Sequence, residues 1–108
     1  MVAQTHMLFR MKNETLHFDW GKTRELDGNV RLHADRQGKL MVVVIDGDAI
    51  QDKYHVEPRG MVDAVLEDRG HIALAVLGRL QLGPPDTITE PGTDTFRHFR
   101  LVLTSDHL

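Results

Sequence analysis

The stretch VRLHADRQGKLMVVVI, Val30 to Ile45, decides the fold. Val30, Leu32 and Ala34 alternate with Arg31, His33 and Asp35, the period-2 pattern of a half-buried strand. Asp35-Arg36-Gln37-Gly38 has the chemistry of a type I turn followed by a left-handed residue. Asp suits the first turn position, and Gly takes positive φ without a Cβ penalty. Leu40 to Ile45 is a continuous, β-branched run, as expected for a central strand covered at least in part on both faces. Residues 30–45 are therefore expected to form a β-hairpin.

Working outward, Leu16, Phe18 and Trp20 alternate with His17 and Asp19, which predicts a strand near 15–20. Gly21 to Asn29, with Asp27 and Gly28 among charges, reads as a connection. After Ile45, Asp46-Gly47-Asp48 suits the cap of a short helix, Ala49 to Tyr54. Glu57-Pro58-Arg59-Gly60 opens a longer helix, with Pro58 in the first turn, where its missing N–H costs nothing. Met61, Val62, Val65, Leu66, Ile72, Ala73, Val76, Leu77 and Leu80 form its apolar stripe. Gly70 is a candidate break within it, and Gly83-Pro84-Pro85 a stop. Pro84 to Thr95 reads as an exposed loop. Residues 96–104 read as a last strand, and Ser105 to Leu108 as a frayed tail.

The expected fold class is α+β: an antiparallel β-sheet (hairpin 30–45 plus strands near 15–20 and 96–104) with a short and a long helix packed on one face. Residues 1–14 read as an N-terminal extension that adds an edge strand or lies on the core. Residues 15–108 read as a single domain.

Several pieces of this order resemble a small bacterial family, the domain of unknown function 1488. The matching residues are Val30, Leu32, Ala34, Gly38 and Asp48-Ala49-Ile50, then Arg69 and Ile72 in the helix, then the closing strand from Phe99. The resemblance spans roughly Thr15 to Asp106. It implies the same α+β fold, and it carries no activity and no catalytic residue.

Composition narrows the function. The chain has 108 residues, a net charge of -3 and no cysteine. That excludes disulfide frameworks, thiolate metal sites and a cysteine nucleophile. The acidic balance argues against a strongly basic nucleic-acid module. Leu40–Ile45 and Ile72–Leu77 fall well short of the roughly 20 apolar residues a membrane helix needs. No basic n-region or lipidation motif is present, so cytoplasmic residence is expected and a membrane partner is not.

The chain carries 7 histidines against 6 aromatic residues (4 Phe, 1 Trp, 1 Tyr), which raises the question of a metal site. His17, His33 and His98 all fall on the polar side of predicted strands. They would bind a divalent ion only if register brought them together, and solvated surface histidines explain the same pattern. Arg31, His33, Lys39, Arg97 and Arg100 form a candidate positive stripe for nucleic acid. An aromatic pair for stacking bases is missing from the central strand. Asp46, Asp48 and Asp52, or Glu67 and Asp68, are candidate acid–base pairs, read more simply as caps or solvated helix faces. No phosphate loop and no GxSxG is present. No cofactor is expected, and the chain carries little catalytic equipment.

The remaining signal is association. Leu40–Ile45 is apolar on both faces, and helices cover only one. Trp20, Met41 or Val43, and Val102 are expected to leave an apolar patch that meets a second copy. The competing expectation is that Met7, Leu8, Phe9 and Met11 fold over that face. The leading reading is a non-enzymatic protein acting through protein–protein contact or homodimerisation. The alternatives are a nucleic-acid module on the Arg/His face and a histidine-based metal or small-molecule binder.

Overall fold

A computed structural model describes residues 8–11, 14–90 and 96–108. Its strands are β1 (Leu8–Met11), β2 (Glu14–Leu26), β3 (Asn29–Arg36), β4 (Lys39–Ile45), β5 (Asp86–Glu90) and β6 (Phe96–Leu103). Its helices are α1 (Gly47–Tyr54), α2 (Met61–Glu67) and α3 (Arg69–Leu82). The strands form one sheet in the order β1-β2-β3-β4-β6-β5. The α+β fold with helices on one face is thus present, with the hairpin β3–β4 at its centre. Among the described residues, no helix is long and apolar enough to cross a membrane.

The sheet is mixed rather than antiparallel. β6 pairs with β4 in parallel, Val43 beside Leu101 and Ile45 beside Leu103. The reason lies in the stretch read as a loop. Asp86–Glu90 forms an edge strand antiparallel to β6. The chain therefore runs down β5 and reverses again before entering the sheet. Thr87, Ile88 and Thr89 are good strand formers, but the flanking prolines hid them. β2 also outruns its expected end. It reaches Leu26 through a register shift between Asp19 and Arg24, an irregularity that sets residues 20–23 opposite Leu32 alone. Leu8–Met11 adds an edge strand beside β2 and does not fold over the open face. Met7 lies outside the described residues.

The β2–β3 and β3–β4 turns are two-residue turns with positive φ at each central position. Asp27 and Gly28 have φ of 55° and 82°, and Gln37 and Gly38 have 55° and 81°. That is a type I′ geometry, whose twist matches the flanking strands. It replaces the expected type I turn. Each turn is braced by an acid three residues before its glycine. The Gly28 amide donates to Glu25 (2.8 Å) and the Gly38 amide to Asp35 (2.7 Å).

Alternation then sorts the strands. Leu16, Phe18, Val30, Leu32, Ala34, Met41, Val43, Ile45, Leu101 and Leu103 are buried on the helix side. They meet Ile50 of α1, Met61 and Val65 of α2, and Ile72, Ala73, Val76 and Leu77 of α3. Burying a side chain of this size contributes about 1.5–3 kcal/mol. Trp20 belongs to this side as well. Its ring stacks on Phe18 with centroids 4.8 Å apart.

The long helix breaks at Asp68 (φ -118°, ψ 37°), two residues before Gly70. The Tyr54 hydroxyl donates to Asp68 at 2.8 Å, which holds the break against α1. The chain end is ordered too. Ser105–His107 forms a 3-10 turn in which the Thr104 amide donates to His107 Nδ1 (2.9 Å), and Leu108 packs on the core.

The start of α1 is pinned to the β2–β3 turn. The Asp46 carboxylate caps α1 by accepting from the Ala49 amide (3.2 Å). The Gly47 amide donates to the Asn29 side chain (2.9 Å). A Cβ on Gly47 would collide with the Gly28 carbonyl, which is backbone and has little room to retreat. Gly47→Ala is therefore expected to cost about 1–3 kcal/mol, the usual range for overpacking. A urea unfolding midpoint unchanged from the wild type would contradict this contact.

Candidate functional site

None of the described residues covers the face opposite the helices, and register places its residues in three rows across the strands. One row runs His17, Asp35, Leu40. The next runs Asp19, His33, Val42, Arg100, Asp86. The third runs Arg24, Arg31, Val44, Val102. His98 and Ile88 pair with each other beyond Leu40. The apolar column Leu40, Val42, Val44 thus stands between polar columns on β3 and β6. Val102 is 40% exposed beside it.

The apolar patch exists, with different members from those expected. Trp20, Met41 and Val43 face the helices, and Val102 alone of the expected set lies on the open side. The error was one of parity. A continuous apolar run does not say which of its alternate members face the helices, and only its neighbours in the sheet decide.

A shallow concavity of about 360 Å³ crosses this face, lined by Arg24, Arg31, His33, Leu40, Val42, Val44, Ile88, His98 and Arg100. Its charge is uneven. Arg24 sits directly opposite Arg31 across β2 and β3. Neither has an ion-pair partner among the described residues. Like charges so placed are unfavourable. Arg31 Nε is buried with no hydrogen-bond partner. Arg100 lies 3.9 Å from Asp86, a half-exposed pair of little worth. Lys22 is similarly near Asp19 at 3.8 Å.

His33 registers this field. Burial lowers its pKa below 6.5, and Lys22, Arg24 and Arg31 push it the same way against Asp19. The imidazole is therefore harder to protonate in the folded chain than in the unfolded one.

His17, His33 and His98 share the open face, as strand alternation predicts. They do not converge. His17 on β2 and His98 on β6 are three strand spacings apart, roughly 14 Å. His33 lines a depression with His17 and another with His98, never one with both. Among the described residues no group of three His, Asp or Glu side chains is arranged to hold a metal ion.

The positive stripe is also redistributed. Arg31, His33 and Arg100 lie on the open face. Lys39 does not. It falls on the helix side of β4, with its ammonium 5.9 Å from the Phe99 ring centre and Arg36 5.3 Å from it. Arg97 pairs with Thr89 in the ladder, and its side chain lies outside the described residues. Arg24, which the reading missed, takes the place of Lys39. It was hidden because β2 was ended at Trp20. Phe18, Trp20 and Phe99 all pack toward the helices, so the rings offered to the open face by the described side chains are the imidazoles of His17, His33 and His98.

Two of the acidic candidates hold structural contacts. Asp46 caps α1, and Asp68 accepts from Tyr54. The Tyr54 hydroxyl is held protonated far above the ordinary phenol range, by burial first and then by Asp68. His71 contacts the Leu108 carbonyl oxygen (3.0 Å). His55 terminates α1 in the left-handed conformation.

Comparison of the chain with family models, with curated proteins and with solved structures gives no match.

The His33 environment has a measurable consequence. Between its lowered folded pKa and the unfolded value near 6.5, the unfolded chain binds more protons. Stability contributed by neutral His33 is thus complete above pH 6.5 and falls as the pH drops through that window. His33→Asn is expected to flatten the dependence of the urea midpoint between pH 7.5 and pH 5. An unchanged slope in that variant would refute the assignment.

Proposed function

We propose that this chain is a non-enzymatic cytoplasmic protein that works by protein–protein contact, and that its open sheet face is the surface of homodimerisation. One observation carries the reading. The central strand presents Leu40, Val42 and Val44 on a face that no helix among the described residues covers, with Val102 exposed beside them. Apolar rows of this kind on a sheet are normally met by a second layer. A second copy supplies one with the same apolar column. The likeness to the domain of unknown function 1488 family belongs to this proposal as a statement of kinship and adds no activity.

The reading as a nucleic-acid module is less well supported. Its cations are interrupted by the apolar column Leu40, Val42 and Val44, and Arg100 and Lys22 each stand near a carboxylate, Asp86 and Asp19. The metal reading finds no group of three ligands among the described residues.

Sedimentation across a range of protein concentrations tests the proposal. The wild-type chain is expected to associate reversibly to a dimer. Val42→Glu, which puts a charge into the apolar column, is expected to weaken association at least about 100-fold, as burial of an unpaired charge does. A wild-type chain that stays monomeric, or a Val42→Glu chain that dimerises normally, would refute the open face as the interface.

A further inference from the structure

On the open-face reading above, the Arg31 guanidinium, with Arg24 beside it, lacks a carboxylate partner among the described residues. We infer that the sheet faces pack about a two-fold axis running across the strands through His33 and Val42, so that Asp35 of each copy meets Arg31 of the other.

Charge order on the face carries this. Along β3 the open side reads Arg31, His33, Asp35: a cation at one end and a carboxylate at the other. Along β4 it reads Val44, Val42, Leu40, apolar throughout. An axis perpendicular to the strands turns each column onto itself in reverse. The apolar β4 column then covers its own copy, with Val42 on Val42 and Leu40 on Val44. On β3, Arg31 lands on Asp35 and Asp35 on Arg31. Both pairs form at once, as an isologous interface requires.

The alternative two-fold, along β4, exchanges the β3 and β6 columns. It sets Arg31 against Val102 and His33 against Arg100. That leaves the guanidinium unanswered, whereas the axis across the strands supplies it a carboxylate and sets Arg100 near its own copy with Asp86 beside each. Packed sheets lie about 10 Å apart, within the combined reach of an arginine and an aspartate.

Two further observations agree. Arg31 Nε is already withdrawn from solvent without a partner, and Arg24 stands beside it with the same sign. A carboxylate arriving there relieves both. Asp35 has an oxygen to offer, because its hydrogen bond to the Gly38 amide occupies Oδ1.

A charge exchange on the full-length chain tests the inference, with association read by sedimentation and folding by circular dichroism. Arg31→Asp and Asp35→Arg are each expected to weaken the dimer by about tenfold or more. Asp35→Asn keeps an acceptor for the Gly38 amide while removing the charge, so it weakens the dimer without disturbing the turn. The double variant Arg31→Asp/Asp35→Arg is expected to restore association to within about threefold of wild type. Failure of the double variant to recover overturns the inference. So does a dimer that Val42→Glu breaks but the single charge variants leave intact, an outcome that keeps the open face and discards this axis. A monomeric wild type refutes both.

Discussion

Three helices cover one face of a six-stranded sheet, and a strand shows its side chains alternately to both faces. That constraint organises the molecule. Leu32, Ala34, Met41, Val43, Leu101 and Leu103 go under the helices, and every residue between them is turned outward. On β3 the outward set is polar, Arg31, His33 and Asp35. On β4 it is Leu40, Val42 and Val44, and the arrangement calls for a second layer. The proposed function follows from that asymmetry between neighbouring strands.

The helical layer is located by a few short-range contacts rather than by burial alone. Hydrophobic burial has no direction. The position of α1 comes from the Asn29 side chain, the Asp46 cap and the close passage of Gly47 over the Gly28 carbonyl. The angle between α2 and α3 is set where Tyr54 holds Asp68. These contacts join turn, cap and break into one framework. The sheet edge beyond it tolerates the bulge in β2 that delivers Arg24 to the open face.

Much of the fold was legible in the sequence. The hairpin, the two helical stretches and the closing strand are written in local periodicity, and the structure has them all. The turn type was missed because Gln37 takes a positive φ that its residue type does not advertise. β5 was missed because prolines outvoted three strand-forming residues. The parallel pairing of β4 and β6 depends on β5, so the one omission propagated into the other. On the candidate site, His17, His33 and His98 were correctly placed on one face, and Arg31 and Arg100 as well. Lys39 was not, since a residue at the turn end of a strand gives no local sign of its side.

What the sequence by itself determined is the set of elements and the period of each, because these depend on residues a few positions apart. What only the tertiary structure decided is which residues stand together across strands. Arg24 meets Arg31, and His17 and His98 are kept apart, through register between segments distant in the chain. Register is set by the bulge, the turns and the helix contacts acting together, and a shift of one residue would turn each strand's outward set inward.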